Sequence, residues 1–295
     1  MQIGVVFPQT EIGGDPAVVR AYAVAAEELG YRHLLVYDHV LGADPAVHAG
    51  WDGPYDVTTT FHEPFVLFGF LAAITSLELV TGVVILPQRQ TALVAKQAAE
   101  VDLLTEGRFR LGVGLGWNAV EYEALGKEFT DRGRRITEQV ELLRRLWTEP
   151  TVTFRGRYET VTGAGLAPMP VQRPIPIWFG ASQPAALRRT GRLADGWFPQ
   201  AAPGPRLEEA LEHVRGGAEA AGRDPATIGM DGRVHLSRGV DVAADHTDRW
   251  RTVGATHLSV NTMGLATDGP VGIDRHIAAL AELAEAIGLP RQQIS

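Results

Sequence analysis

The sequence contains no cysteine, which removes disulfides, iron–sulfur clusters, thiolate zinc sites and cysteine nucleophiles from consideration. A cysteine-free chain fits a reducing compartment. Lysine is nearly absent: Lys96 and Lys127 are the two in 295 residues, and 27 basic against 35 acidic side chains leave a formal charge of −8. That balance argues against nucleic acid or an anionic membrane as a partner. No apolar run approaches the ~20 residues that a membrane helix needs. The opening Met1–Pro8 has no basic start and no small-residue cleavage site, so it reads as a strand and not as a signal peptide. Linkers, repeats and low-complexity tracts are also missing. The expectation is one domain over residues 1–295, in the cytoplasm. What is present, 45 % hydrophobic and 21 % charged residues, is the make-up of an ordinary globular protein.

Short β-branched runs alternate with longer stretches of helical spacing. The strand candidates are Ile3–Pro8, His33–His39, Leu79–Leu86, Phe109–Gly116, Ile175–Gly180, Gly196–Pro199, Ile228–Leu236 and Thr256–Thr262. Helical runs follow them, among them Pro16–Leu29, Pro64–Ser76, Ala92–Leu104, Arg134–Trp147 and Pro184–Leu193. Strict alternation implies a parallel sheet with helices outside. Eight such units in this length fit an α/β fold of the (β/α)8 TIM-barrel type. An open doubly wound sheet lacks its glycine fingerprint after the first strand. Two stretches break the pattern: Val40–Glu63, and an excursion over 151–174, where Thr151–Tyr158 alternates like a hairpin and Pro168, Pro170 and Pro174 exclude a helix.

In such a barrel, chemistry sits at the carboxyl ends of the strands. Gly112, Gly114 and Gly116 recur with period two, so Leu111, Val113 and Leu115 point the other way, under the helices. The bare face either admits a flat ligand or relieves crowding in the barrel. Gly180-Ala-Ser-Gln-Pro184 opens a helix after a strand, with Ser182 as the expected N-cap; it is either a phosphate site or a plain cap. Asp38-His39 ends the second strand, and an imidazole tuned by a carboxylate can move a proton near neutral pH; packing is the competing role. Asp44, His48, Asp52, Asp56 and His62 have no metal-ligand spacing, and no metal is expected. Trp51, Tyr55 and Phe61 in the same segment suit an aromatic lid. Arg132, Arg134 and Arg135, with Glu138 and Glu141 a turn later, read as a salt-bridged solvent face.

Several runs together resemble the bacterial luciferase-like oxidoreductases. They are Leu79-Val-Thr-Gly-Val-Val-Ile-Leu-Pro87, the long stretch from Ala95 to Gly-Leu-Gly-Trp117-Asn118, Ile177-Trp-Phe-Gly-Ala-Ser182, Ala194-Asp-Gly-Trp197 and Leu34-Leu-Val-Tyr-Asp-His39. The resemblance is strong over residues 1–200 and looser beyond. It implies a (β/α)8 barrel that binds flavin mononucleotide (FMN) or the deazaflavin coenzyme F420. The Asp-His pair and the Gly-x-Gly-x-Gly-Trp run look more like the F420 branch. There, Asp38 and His39 would lie beside the reactive carbon, with His39 handling the proton that accompanies hydride transfer. A non-proline cis peptide is implied at Gly82–Val83, behind the ring, and the phosphate would sit on Gly180, Ala181 and Ser182. Phe7, Gly114, Gly116, Trp117 and Asn118 complete the expected cofactor-binding set. Two departures stand out. Relatives carry His-Pro where this chain has Gln90-Thr91, and neither lysine falls at a late strand end, which argues against glucose 6-phosphate.

The function expected is hydride transfer between the deazaflavin C5 and a small organic substrate, in a chain that could also form a homodimer. The alternatives are an FMN-dependent monooxygenase using oxygen on the same fold, a cofactor-binding protein without turnover, and a metal-dependent barrel hydrolase.

Overall fold

Period two decides which side chains fill the centre of this protein. In the computed structural model, which describes residues 1–265 and 271–292, Val6, Leu35, Val80, Trp178 and Phe198 form one buried cluster. Their sequence neighbours Val5, Leu34, Leu79, Ile177, Phe179 and Trp197 belong to a second, larger core. The first cluster lies on the axis of a closed barrel, and the second lies between the barrel wall and its helices. Burying each such aliphatic side chain contributes about 1.5–3 kcal/mol.

The chain runs β1 (Gln2–Val6), α1 (Pro16–Glu28), β2 (His33–Val36), α2 (Pro64–Leu71), β3 (Glu78–Thr81), β4 (Val84–Ile85), α3 (Thr91–Leu104) and β5 (Phe109–Gly114). It continues with α4 (Ala119–Ala124), α5 (Arg132–Thr148), the hairpin β6 (Val152–Arg155) and β7 (Thr160–Ala164), then β8 (Ile177–Ala181) and α6 (Pro184–Leu193). The last units are β9 (Gly196–Pro199), α7 (Pro205–Glu219), β10 (Gly229–His235), α8 (Val240–Thr252), β11 (His257–Asn261) and α9 (Ile273–Ala286). Parallel pairing links β3-β2-β1-β11-β10-β9-β8-β5, and β5 returns to β3, closing the ring. Short β4 carries the third wall strand onward beside β5, with Val84 opposite Val113. This is the (β/α)8 barrel expected from the alternation.

Three local differences have physical causes. The run Leu79–Leu86 is broken at Gly82–Val83, where the peptide is cis, as the resemblance implied. Helix α2 ends at Leu71 instead of Ser76, because Glu27 draws the following chain inward by accepting from the Thr75 hydroxyl at 2.6 Å and from the Ser76 amide. The excursion is a hairpin that extends to Ala164, held by the Glu138 carboxylate, which accepts the amides of Arg157, Tyr158 and Glu159 at 2.7–2.9 Å.

Towards the amino ends of the strands the barrel is closed by polar side chains. Arg110 donates to Glu78 at 2.8 Å and lies 3.4 Å from Asp231, over the ring of Trp178. Asp231 accepts from Ser259, whose hydroxyl also meets His33 Nε2 at 2.9 Å. Each charge there has an opposite partner.

Candidate active site

A cavity of about 490 Å³ opens at the carboxyl ends of the strands. One wall is bare backbone, from Gly82, Gly114, Gly116 and Gly180. A Cβ at Gly114 would come within 2.5 Å of the Val83 side chain, so larger residues would fill the slot where a flat ring could lie. Leu111 and Val113 belong to the outer core, the phase expected from the period-two glycines.

Opposite this slot, β2 delivers Asp38 and His39. Asp38 is buried, and both its oxygens are engaged: Oδ1 pairs with Arg89 at 2.7 Å and Oδ2 accepts the Ile85 amide at 3.2 Å. Burial pushes its carboxyl up, and the Arg89 charge opposes that shift. His39 stands among Phe61, Tyr55 and Trp117, with ring centroids 4.6, 5.0 and 5.6 Å away. Its Nδ1 lies 3.8 Å from Glu121 Oε1. Burial lowers the imidazole below its ordinary value, while the Glu121 and Asp38 charges push it back up. The imidazole is therefore predominantly neutral at pH 7 and able to accept a proton.

Glu121 is a residue that the sequence reading passed over. It is buried, accepts the amides of Val40 and Leu41, and takes a hydrogen bond from Gln88. The chain leaving β2 is thus fixed beneath His39. Arg89 fixes the other end of the 40–63 segment, because it also pairs at 3.1 Å with Glu63, the N-cap of α2. Trp51 and Tyr55 fold back over the mouth, Trp51 lying 5.6 Å from Trp117. The acidic and histidine side chains of this loop are dispersed. Asp44 and Asp56 cap turns, and His62 meets the Gly13 carbonyl. Among the described residues no group of three or more is placed to hold a metal.

The cavity's second end carries donors and positive charge that an anion could meet. Ser182 is not the N-cap of α6; Gln183 is, and its side chain makes no capping bond. The helix start therefore presents free N–H groups at its positive end. Arg132 lines the same cavity, and its Nε is buried without a partner among the described residues. This corrects the solvent-face reading of the arginine cluster: Arg135 pairs with Asp131 at 3.5 Å, Glu138 is spent on the hairpin, and Arg132 turns inward.

Of the expected residues, Asp38, His39, Gly82, Val83, Gly114, Gly116, Trp117, Gly180, Ala181 and Ser182 all line this cavity. Two do not. Phe7 is wholly buried in the outer core against Tyr22 and His62, because Val6 points to the axis and the next residue must point away. Asn118 caps α4, accepting from the Glu121 amide, and donates to the Leu41 carbonyl. Gln90 and Thr91 face elsewhere: Gln90 precedes α3, and Thr91 bonds Glu159 and Gln139. Besides Glu121, Arg132 and Arg89, the sequence reading missed Arg233, which lines the cavity from β10; Gln200, at the carboxyl end of β9 where such a barrel places chemistry, lines it too. Both lysines lie outside the lining.

A profile of the luciferase-like monooxygenase family matches residues 1–293. The chain belongs to that family. It is 32 % identical over 267 residues to an F420-dependent glucose-6-phosphate dehydrogenase of Gordonia bronchialis, covering 86 % of this chain and 75 % of the relative. Among solved structures, a monooxygenase from Streptomyces bottropensis superposes with a TM-score of 0.78 at 21 % identity, covering 97 % of this chain and 98 % of the other. An F420-dependent secondary alcohol dehydrogenase, solved with an F420–acetone adduct, gives a TM-score of 0.77 at 18 % identity and the same coverages. These structures share the barrel fold. Among the described residues no helix is long and apolar enough to cross a membrane.

Proposed function

We propose that the protein is an F420-dependent oxidoreductase that passes a hydride between the bound deazaflavin and a small organic substrate. The observation that carries this reading is the bare glycine slot running from Gly82 and Gly114 to the uncapped start of α6 beside Arg132. It is the shape and charge that a flat, neutral ring with a phosphate-bearing side chain requires. The F420-dependent relatives, at about a third identity over most of the chain, support the choice of cofactor.

When bound, the deazaflavin supplies the carbon that gives or takes the hydride. The remaining work belongs to the chain. Gly114, Gly116 and Gly180 let the ring approach the backbone, and the α6 amides with Ser182 and Arg132 hold the phosphate. His39 moves the accompanying proton at Nε2, since Glu121 lies on its Nδ1 side. Asp38 is a positioning residue, its oxygens committed to Arg89 and Ile85. Tyr55, Phe61 and Trp117 exclude water around the imidazole.

Parallel titration of the cofactor-free protein with F420 and FMN tests the reading. F420 is expected to bind at least about tenfold tighter, ~1.4 kcal/mol. Ser182→Asp, which sets a carboxylate beside the phosphate, should weaken F420 binding by roughly 2 kcal/mol or more. Equal affinities would favour an FMN-dependent monooxygenase on the same barrel, and an unaffected Ser182→Asp would place the phosphate elsewhere.

A further inference from the structure

Arg233 has no task in that scheme. It sits on β10 two residues beyond Asp231, so both side chains point to the barrel axis. Asp231, however, is committed to Arg110 and Ser259. Among the described residues, Arg233 has no carboxylate within ion-pair distance, and its Nε is buried without a partner. Its guanidinium lies 5.3 Å from the centre of the Tyr37 ring, and its charge reaches Tyr55 and, from beyond ion-pair distance, Asp231. The side chain thus lines the same cavity as His39, on the side of Tyr37 and Tyr55. Arg233 also borders a second hollow of about 240 Å³, which holds Arg238, His235 and His246 and no acidic side chain.

We propose that Arg233 is a specificity-determining residue that receives a carboxylate, making small organic acids the substrate class of this cavity. This rests on the cavity being the cofactor and substrate site. A guanidinium offers paired N–H donors that match the two oxygens of a carboxylate, and the bond strengthens where aromatic rings displace water. Holding a cation partly out of water without a partner is costly, and an incoming carboxylate offsets that cost. One arginine suits a singly charged oxyanion. A phosphoryl dianion would call for a second cation inside the cavity, whereas Arg132 belongs to the α6 end, neither lysine reaches the cavity, and Arg238 lines only the adjoining hollow. The basic hollow behind Arg233 raises the local concentration of anions at the mouth. The competing role is a stacking contact on Tyr37 alone, which would leave binding indifferent to ligand charge.

The experiment titrates benzoate, its neutral isostere benzamide, and inorganic phosphate into wild type, Arg233→Gln and Arg233→Lys, with melting curves to establish that each variant is folded. Wild type should bind benzoate in preference to benzamide. Arg233→Gln should weaken benzoate by roughly tenfold to a hundredfold, leave benzamide unchanged, and be partly rescued by Arg233→Lys. Benzamide matching benzoate on wild type, benzoate binding untouched by Arg233→Gln, or phosphate binding to the F420-loaded protein more tightly than benzoate would each overturn the proposal. Titrations run on both cofactor-free and F420-loaded protein separate the two assignments. A wild type that takes up no F420 yet prefers benzoate through Arg233 loses the cofactor reading and keeps the carboxylate site.

Discussion

The two ends of the barrel use the same side chains in opposite ways. At the closed end, Arg110 is flanked by Glu78 and Asp231, with Ser259 and His33 completing the hydrogen bonds. At the open end, Arg132 and Arg233 line a cavity and, among the described residues, neither has a carboxylate in ion-pair contact. Strand β10 spans the change: Asp231 is buried and paired, Arg233 is half-buried and unpaired, and His235 is exposed. Paired charges make a rigid seal and leave nothing for a ligand. Unpaired ones retain the interaction that a ligand will use.

Separating catalysis from stability gives the sharpest test of this contrast. His39→Ala removes the imidazole proposed to carry the proton and should slow single-turnover hydride transfer by about 10²–10⁴-fold, with cofactor affinity little changed. His39→Asn should behave likewise, since an amide does not titrate. A variant turning over at the wild-type rate would reduce His39 to packing. At the closed end the effect should appear in urea unfolding. Asp231→Ala leaves the buried Arg110 short of a partner and should cost about 3–5 kcal/mol, whereas Arg233→Gln should cost less than ~1 kcal/mol. Similar losses at both positions would erase the distinction.

A smaller effect concerns acid. Burial and the Arg110 charge hold His33 well below its ordinary value, and the same causes bring His257 to about 3. Both imidazoles are neutral in the folded protein, while the unfolded chain takes up their protons below about pH 6.5. Stability is therefore present above that pH and lost as pH falls toward the folded values. For each imidazole the loss is at most ~1.4 kcal/mol per pH unit, and it should be visible between pH 6.5 and 5. Burial raises the Asp231 and Glu78 carboxyls, so the folded protein protonates them first and part of the loss is offset further down the scale. Denaturation curves at the two pH values check this, and a flat profile would mean that the closed end is open to water.

Much of this architecture is legible in the sequence because it rests on local periodicity. The strand-helix alternation gives the barrel, and the phase of Gly112, Gly114 and Gly116 gives the slot. The same phase, followed one residue beyond β1, would have sent Phe7 outward. The charges were harder to place, since pairing is settled in three dimensions. Asn118-x-x-Glu121 has the spacing of a helix cap, but the second partner of Glu121 is the backbone at Leu41, 80 residues earlier. Arg132 looked like one member of a helical charge cluster until the hairpin claimed Glu138. Arg233 did leave a trace: Asp231, Arg233 and His235 are charged or titratable residues on the inward phase of an otherwise apolar strand.

The Asp38–Ile85 hydrogen bond has a wider consequence. The β2–β3 ladder ends at Val36 and Thr81, and beyond it the wall is joined by a side chain, the Asp38 carboxylate, to the Ile85 amide. That join is a stitch in an otherwise woven wall. A backbone ladder does not depend on side-chain identity, but this seam depends on one carboxylate. The 40–63 loop hangs from its edge, tied by Glu121 at one end and Arg89 at the other. Within those ties the loop can be altered to reshape the mouth, while substitution at position 38 would unpick the wall locally between β2 and β4 and leave the β3–β5 closure standing.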